Sequence, residues 1–423
     1  VDDELRDAER RARERGDAAS FLAWAAALRR LGRDMEAAAA AFEARARGAS
    51  RDEVFPLAQP REGGGDALAP WPHPRGDSAG TRRSRVEGPD ARARVLFEID
   101  LGEEDIGSGH GPVVLPDGSV AVSLDRAAHG GSYVRCFTRD GAPRWSVGLR
   151  ENVSAPVALA TGELAIATPR ELITLAATDG RELSRVPLVP SAARGEVVTW
   201  RTPAAWNRSV VVGDKVVGSG GDVRELRGRE GKRLIARSPA VGPGGTCYLP
   251  AYAYSFEPPS RPGAAPPLVR DPPAVHAFGL EGEYRWSYPV DVETSQHAAC
   301  RDRLLVLART DLMAVDRATG TLLERRPFGG AYLALDPSDE PVPTAPFGPP
   351  LLGPPAVDAA GRRYALNARG DLVGLGPESR PLFVVTLGFA KHSLVNTLAL
   401  GKGRLHFLKL SAERRSIVVV GEE

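Results

Sequence analysis

The chain has 423 residues, with 55 basic and 54 acidic side chains and a formal net charge of +1. That balance supplies no global field to steer nucleic acid, no run of about 18 apolar residues exists to span a membrane, and the length suffices for one large core plus an appendage. Three cysteines, an odd number, argue against a disulfide framework and read as buried thiols of a reducing compartment.

Residues 2 to 15 form a charged helix candidate. Asp17 is placed to cap a second helix, in which Phe21, Trp24, Ala25, Leu28 and Leu31 share one face at helical spacing before Gly32 ends it. Asp34 is read as the cap of a third helix with a narrow apolar stripe of Met35, Ala38, Phe42 and Ala46. The stretch FLAWAAALRRLGRDMEAAAAAFEARA resembles a single tetratricopeptide-type hairpin, with Trp24, Gly32, Ala38 and Phe42 near the expected places. One such unit needs neighbours to bury its faces. Either it folds against its own domain or it docks onto another protein, with Trp24 and Phe42 as docking candidates.

From about residue 49 to residue 92 periodicity is lost. The run is rich in Gly, Pro and Arg, and it reads as a disordered or extended tether. Trp71 between prolines is a third docking candidate. Arg82, Arg83 and Arg85 read as a solvated basic run, and Arg75-Gly76-Asp77 as a chance tripeptide. The expected organisation is therefore a helical hairpin over 1–48, a tether over 49–92 and a single large β domain over 93–423.

In that β domain one four-strand phrase recurs seven times. Innermost strands align around Pro112, Pro156, Pro203, Pro239, His297, Pro355 and Thr397. Most are followed by a turn with Gly, Asp or Asn, then by alternating apolar residues in strands such as SVAVSL, ELAIAT and RLHFLK. Third and fourth strands follow, with RLIAR read as the outer strand of the third copy. The seventh copy stops at Glu423 without its outer strand, and VLFEIDL from Val95 to Leu101 has the missing pattern. The fold class expected is all-β: a seven-bladed β-propeller closed by this N-terminal strand, which leaves no free sheet edge at the seam.

The segments RDGAPRWSVGL, with Gly141 and Trp145, and LEGEYRWSYPV, with Gly282 and Trp286, resemble the pyrroloquinoline-quinone-like propeller repeat. That family includes quinoprotein dehydrogenases and BamB-like outer-membrane assembly lipoproteins. The resemblance implies that both indoles cap a neighbouring blade. A quinone enzyme of this family is expected to carry adjacent cysteines and a calcium site of Glu, Asn and Asp, whereas Cys136, Cys247 and Cys300 are never adjacent. The implication is of fold, not of dehydrogenase activity.

Strand order sorts the loops. Links from outer to next inner strand, and from second to third strand, open on one face, and nearly all the long segments are of these two kinds. Binding residues are expected on this loop-bearing face. They are the acidic run Glu103, Glu104 and Asp105, the histidines His110, His129, His297 and His392, Arg201, and the aromatics Tyr252, Tyr254, Phe256, Tyr332 and Phe347. Histidines without ligand-pair spacing give no metal assignment, and neither a nucleophile elbow nor a phosphate loop is present. No cofactor and no enzyme activity are expected. The favoured reading is a protein-interaction scaffold whose partner is another protein, met by the loop-bearing face and the N-terminal helices. The alternatives are a small-ligand or sensory propeller whose funnel is lined by Arg201, His110, His297 and Asn396, and, behind it, a propeller enzyme. The expected compartment is the cytoplasm, or the periplasm if a leader was removed ahead of Val1.

Overall fold

In a computed structural model of the protein, the structure describes residues 2–61, 68–102, 106–109, 111–126, 130–189, 202–256, 268–291, 295–348, 350–387, 394–395, 398–410 and 415–422. The described strands form seven antiparallel sheets, which are the blades I to VII. Blades I to VI span 106–149, 157–187, 204–225, 233–289, 295–327 and 356–386, and blade VII combines 394–421 with the strand Arg94–Asp100. This last strand pairs antiparallel with Arg415–Gly421, Val95 opposite Val420 and Ile99 opposite Ile417. The ring is thus closed by the N-terminal strand read from the sequence.

Burial falls from the axis outward. In blade II the strand Glu163–Ala167 is buried at every position, whereas the outer strand of blade V, Leu322–Pro327, is exposed throughout. Inner strands are packed on both faces by the neighbouring blades, so they read as continuous runs of small apolar residues. Adjacent blades are pinned by the two tryptophans. The Trp145 indole donates to Ala177 O at 3.2 Å, and Trp286 to Arg317 O at 2.9 Å, each on the following blade. A Cβ on Gly180 or on Gly320 would lie 2.7 Å from the respective ring, so both turns need glycine for contact as well as for their positive φ.

One strand assignment is corrected. RLIAR was read as the outer strand of the third copy, but Arg233–Ala236 pairs with Tyr254 to Ala251 in blade IV. Blade III is instead completed by Val223–Glu225. The cause is the strand Thr246–Phe256, eleven residues long, which overruns its blade and leaves backbone groups that require a second partner.

The N-terminus folds as four helices, α1 (Asp2–Arg15), α2 (Ala18–Arg30), α3 (Asp34–Ala46) and α4 (Arg51–Ala58). Asp17 caps α2, accepting from Ser20 N at 2.7 Å. Asp34 does not cap α3: it is the first helical residue and is bound by Arg61 and Arg29. The alanines of α3 are buried on several faces at once, because α2, α4 and the turns of blade II all approach it closely. The hairpin therefore folds against its own domain, and its missing neighbours are α1, α4 and the propeller.

Candidate functional site

The helical layer sits on the face opposite the loops, over the tight turns of blades I to III. Glu163, fully buried in the turn side of blade II, accepts from Arg45 of α3 at 2.7 Å and from Arg51 of α4 at 2.9 Å. Arg144 of blade I reaches Glu43 at 2.8 Å, Arg181 donates to Ala46 O at 2.9 Å, and Arg208 of blade III pairs with Asp52 at 2.6 Å. A carboxylate held by two guanidiniums offsets its own desolvation only while both stay in place, so Glu163 acts as the clasp of the two layers. No motif marks it in the sequence.

The channel is not an open funnel. Residues 69 to 89, expected to be a tether, run round its inside and pair with one blade after another. Trp71 exchanges both backbone hydrogen bonds with Val114 of blade I, at 3.3 and 2.9 Å, and Ala158 of blade II donates to Pro72 O at 2.8 Å. Ser78 takes the Ala205 N–H of blade III on its hydroxyl at 2.9 Å and the Val241 N–H of blade IV on its carbonyl at 2.8 Å. Ala299 of blade V donates to Ala79 O at 2.9 Å, Val357 of blade VI to Arg82 O at 3.0 Å, and Gly403 of blade VII to Glu87 O at 2.9 Å. The tether reading is corrected here. A segment without periodicity cannot make a core of its own, but it can be ordered by the unpaired inner edges of seven strands. Trp71 is completely buried, so it is a packing residue of the channel and not an exposed docking motif.

The other expected site residues divide three ways. Glu103, Glu104, Asp105, His110, His129, Arg201, His392 and Asn396 lie outside the described residues. Buried positions take His297, Phe347 and Phe42 out of reach of a partner: His297 is 6% exposed, Phe347 packs with Ala334, Val342 and Val373, and Phe42 lies under the helices. Burial, with Arg75 beside it, lowers the pKa of His297 to about 3, so it stays neutral. Tyr252, Tyr254, Tyr332 and Trp24 are half-buried, and the backbone of Phe256 ends the long strand of blade IV.

Two features stand on the loop-bearing side. The overrunning strand Thr246–Phe256 pairs with Leu268–Arg270, Tyr254 opposite Arg270 and Ser255 opposite Val269, making a two-stranded ribbon that extends blade IV, with Val269 exposed. Between blades V and VI, Tyr332, Thr344, Pro350 and Leu351 line a cleft of about 280 Å³. Cys136, Cys247 and Cys300 lie on separate blades, and burial pushes each thiol up to about 12. Among the described residues there is no cluster of three or more His, Cys, Asp or Glu arranged to hold a metal, and no helix is long and apolar enough to cross a membrane.

Solved structures are similar to this chain. A quinohemoprotein alcohol dehydrogenase of Pseudomonas putida HK5 is 11% identical with a TM-score of 0.57, over 84% of this chain and 80% of that one. The WD40 propeller domain of Doa1 is 9% identical with a TM-score of 0.45, over 78% and 97%. No family model and no curated protein matches the sequence. At the level of fold the chain is a seven-bladed β-propeller. The described residues do not fit a quinone: the cysteines lie singly on separate blades, and the chain's own segment 69 to 89 occupies the channel.

Proposed function

We propose that this protein is a non-catalytic interaction scaffold, with the ribbon of blade IV and the surrounding loop-bearing face as its principal contact surface. The observation that carries this reading is the ribbon itself: a strand prolonged beyond its blade, braced on both sides and presenting half-buried tyrosines and an exposed valine. An ordered projection on a rigid scaffold is costly to hold unless it is used, and preordered aromatic surface lowers the entropic cost of association. The chain itself occupies the channel and helices cover the turn side of blades I to III, which favours the loop-bearing face as the place for a partner. In this reading α1, whose outer face is charged and exposed, is a second contact, and the protein works in the cytoplasm, where three buried thiols stay reduced.

The test is affinity capture of the full-length chain from its source cell. The ribbon residues 255 to 269 are replaced by a short turn in one variant, and the charges of α1 are reversed in another. A stoichiometric partner lost with the ribbon supports the reading. Recovery of the same partner without the ribbon, or of none with the intact chain, sinks it. Cell fractionation checks the compartment.

A further inference from the structure

The channel segment brings two like charges together with a single carboxylate, Asp77, near enough to act on both. Arg82 N–H donates to Arg75 O at 2.8 Å, so the two arginines face each other across the neck of a tight loop. A Cβ on Gly76 would lie 2.7 Å from Arg82 Cα, and Arg82 itself sits at φ 60°, so the backbone is held in this pairing against some strain. Arg75 and Arg82 are half-buried in the channel. Arg75 donates from Nη2 to Pro239 O, but its Nε and the Nη1 of Arg82 are buried without a hydrogen-bond partner, as is Nε2 of His297 beside them.

Asp77 offsets only part of the charge of this pair and gives neither guanidinium a hydrogen bond. Asp77 is the carboxylate of the loop, and its oxygens are taken by the N–H of Thr81, at 2.9 Å, and by the Thr81 hydroxyl. His73 is fixed as a neutral ring, accepting from Arg75 N at 3.0 Å on Nδ1 and meeting Pro203 O at 2.9 Å through Nε2. Burial lowers the pKa of Arg75 to about 10. Burial and then the Arg75 charge lower that of Arg82 to about 9. Two partly desolvated cations, each with a buried N–H that lacks a hydrogen-bond partner, are what an anion would relieve.

We propose that the loop 75–82 is an oxyanion-binding site, in which Arg75 and Arg82 together hold one carboxylate or phosphate group inside the channel. The fork of a guanidinium matches both anions in bidentate geometry. Tyr332, close enough to Arg82 to interact with its charge, belongs to the link between blades V and VI, so the site opens toward the loop-bearing face. The donors come from a segment outside the repeats and not from any blade.

Calorimetric titration of the full-length chain with inorganic phosphate, and separately with succinate, at constant ionic strength against chloride tests this. Saturable binding is expected, stronger for whichever of the phosphoryl or carboxyl groups the site prefers, with a matching rise in melting temperature. Arg82→Gln is expected to weaken it roughly tenfold or more, and Arg82→Lys, which keeps charge but loses the fork, by less. Absence of saturable binding of both anions up to roughly 10 mM overturns the proposal, and so does binding that Arg82→Gln leaves unchanged. Should Arg82→Gln fail to fold, the wild-type titration against chloride decides alone. Loss of this site leaves the capture experiment on the ribbon unaffected.

Discussion

The blades and the channel segment are buried to the same degree by opposite means. Blade strands repeat one alternation and satisfy each other in continuous ladders, so that Phe407 and Leu405 are fully buried among residues of their own and adjoining sheets. Residues 69 to 89 repeat nothing and meet all seven blades through scattered single hydrogen bonds, backbone and side chain alike, yet Trp71 and His73 are as inaccessible as any blade residue. Periodicity reports a segment that makes its own sheet. Its absence is equally consistent with a segment that is completed by others, because an ordered backbone needs partners and not necessarily regular ones.

Acid offers the broadest way to set the two regions against each other. Burial pushes His276 to about 4 and His297 and His406 to about 3, and it lowers His73 well below its usual value. The unfolded chain protonates near 6.5, so stability is full above that pH and falls as the pH drops toward 4. Each histidine then contributes a loss of up to about 1.4 kcal/mol per pH unit. Denaturant melts at pH 7.5 and 5 measure the sum. His297→Gln tests the channel's share and His406→Gln that of blade VII, and stability flat over this range would count against neutral buried rings.

Trp71→Ala and Phe407→Ala compare the regions residue for residue. Both are expected to cost about 3–5 kcal/mol in denaturant unfolding. A loss below about 1 kcal/mol for Trp71 alone would return the segment to a surface strap. The same contrast can be read by limited trypsin digestion: Arg82 and Arg83 should resist cleavage while the native fold persists, and early cutting there would break the equivalence.

Glu163→Gln should cost about 3 kcal/mol, because Arg45 and Arg51 lose their shared charge while remaining partly buried. The loss should appear as earlier unfolding of α1–α4, followed by hydrogen exchange. The smallest effect expected is that of Trp286→Phe, which keeps the ring against Gly320 and removes only the bond to Arg317 O. About 1 kcal/mol is anticipated from thermal unfolding, and a much larger value would mean that the indole does more than cap blade V.

Much of the ring was legible because its signal is local. Proline-led inner strands, turns and the displaced strand at Val95 each follow from alternation within a few residues, and closure requires only that the missing strand be found. Blade IV broke the pattern because the length of Thr246–Phe256 is set by what it reaches, and Arg233–Ala236 carries no mark saying which blade it joins. The candidate site was less legible. Trp71 between prolines and Arg82 in a basic run read as solvated, since charge and proline signify exposure when only sequence neighbours are considered. Glu163 follows Gly162 like any turn residue, and its two arginine partners lie 118 and 112 positions away.

By itself the sequence determined the seven blades, their closure by the strand from Val95 and the first three helices before them, because periodicity and turn chemistry act over short stretches of chain, while the packing role of Trp145 and Trp286 followed from the resemblance of their repeats. The tertiary structure alone decided that residues 69 to 89 line the channel, that the alanine helix α3 is enclosed, that His297 and Phe347 are core residues, and that Arg75 and Arg82 meet. Those outcomes depend on which surfaces the finished ring leaves unpaired. An inner strand edge or a desolvated guanidinium acquires its demand for a partner only when blades far apart in sequence have closed around it.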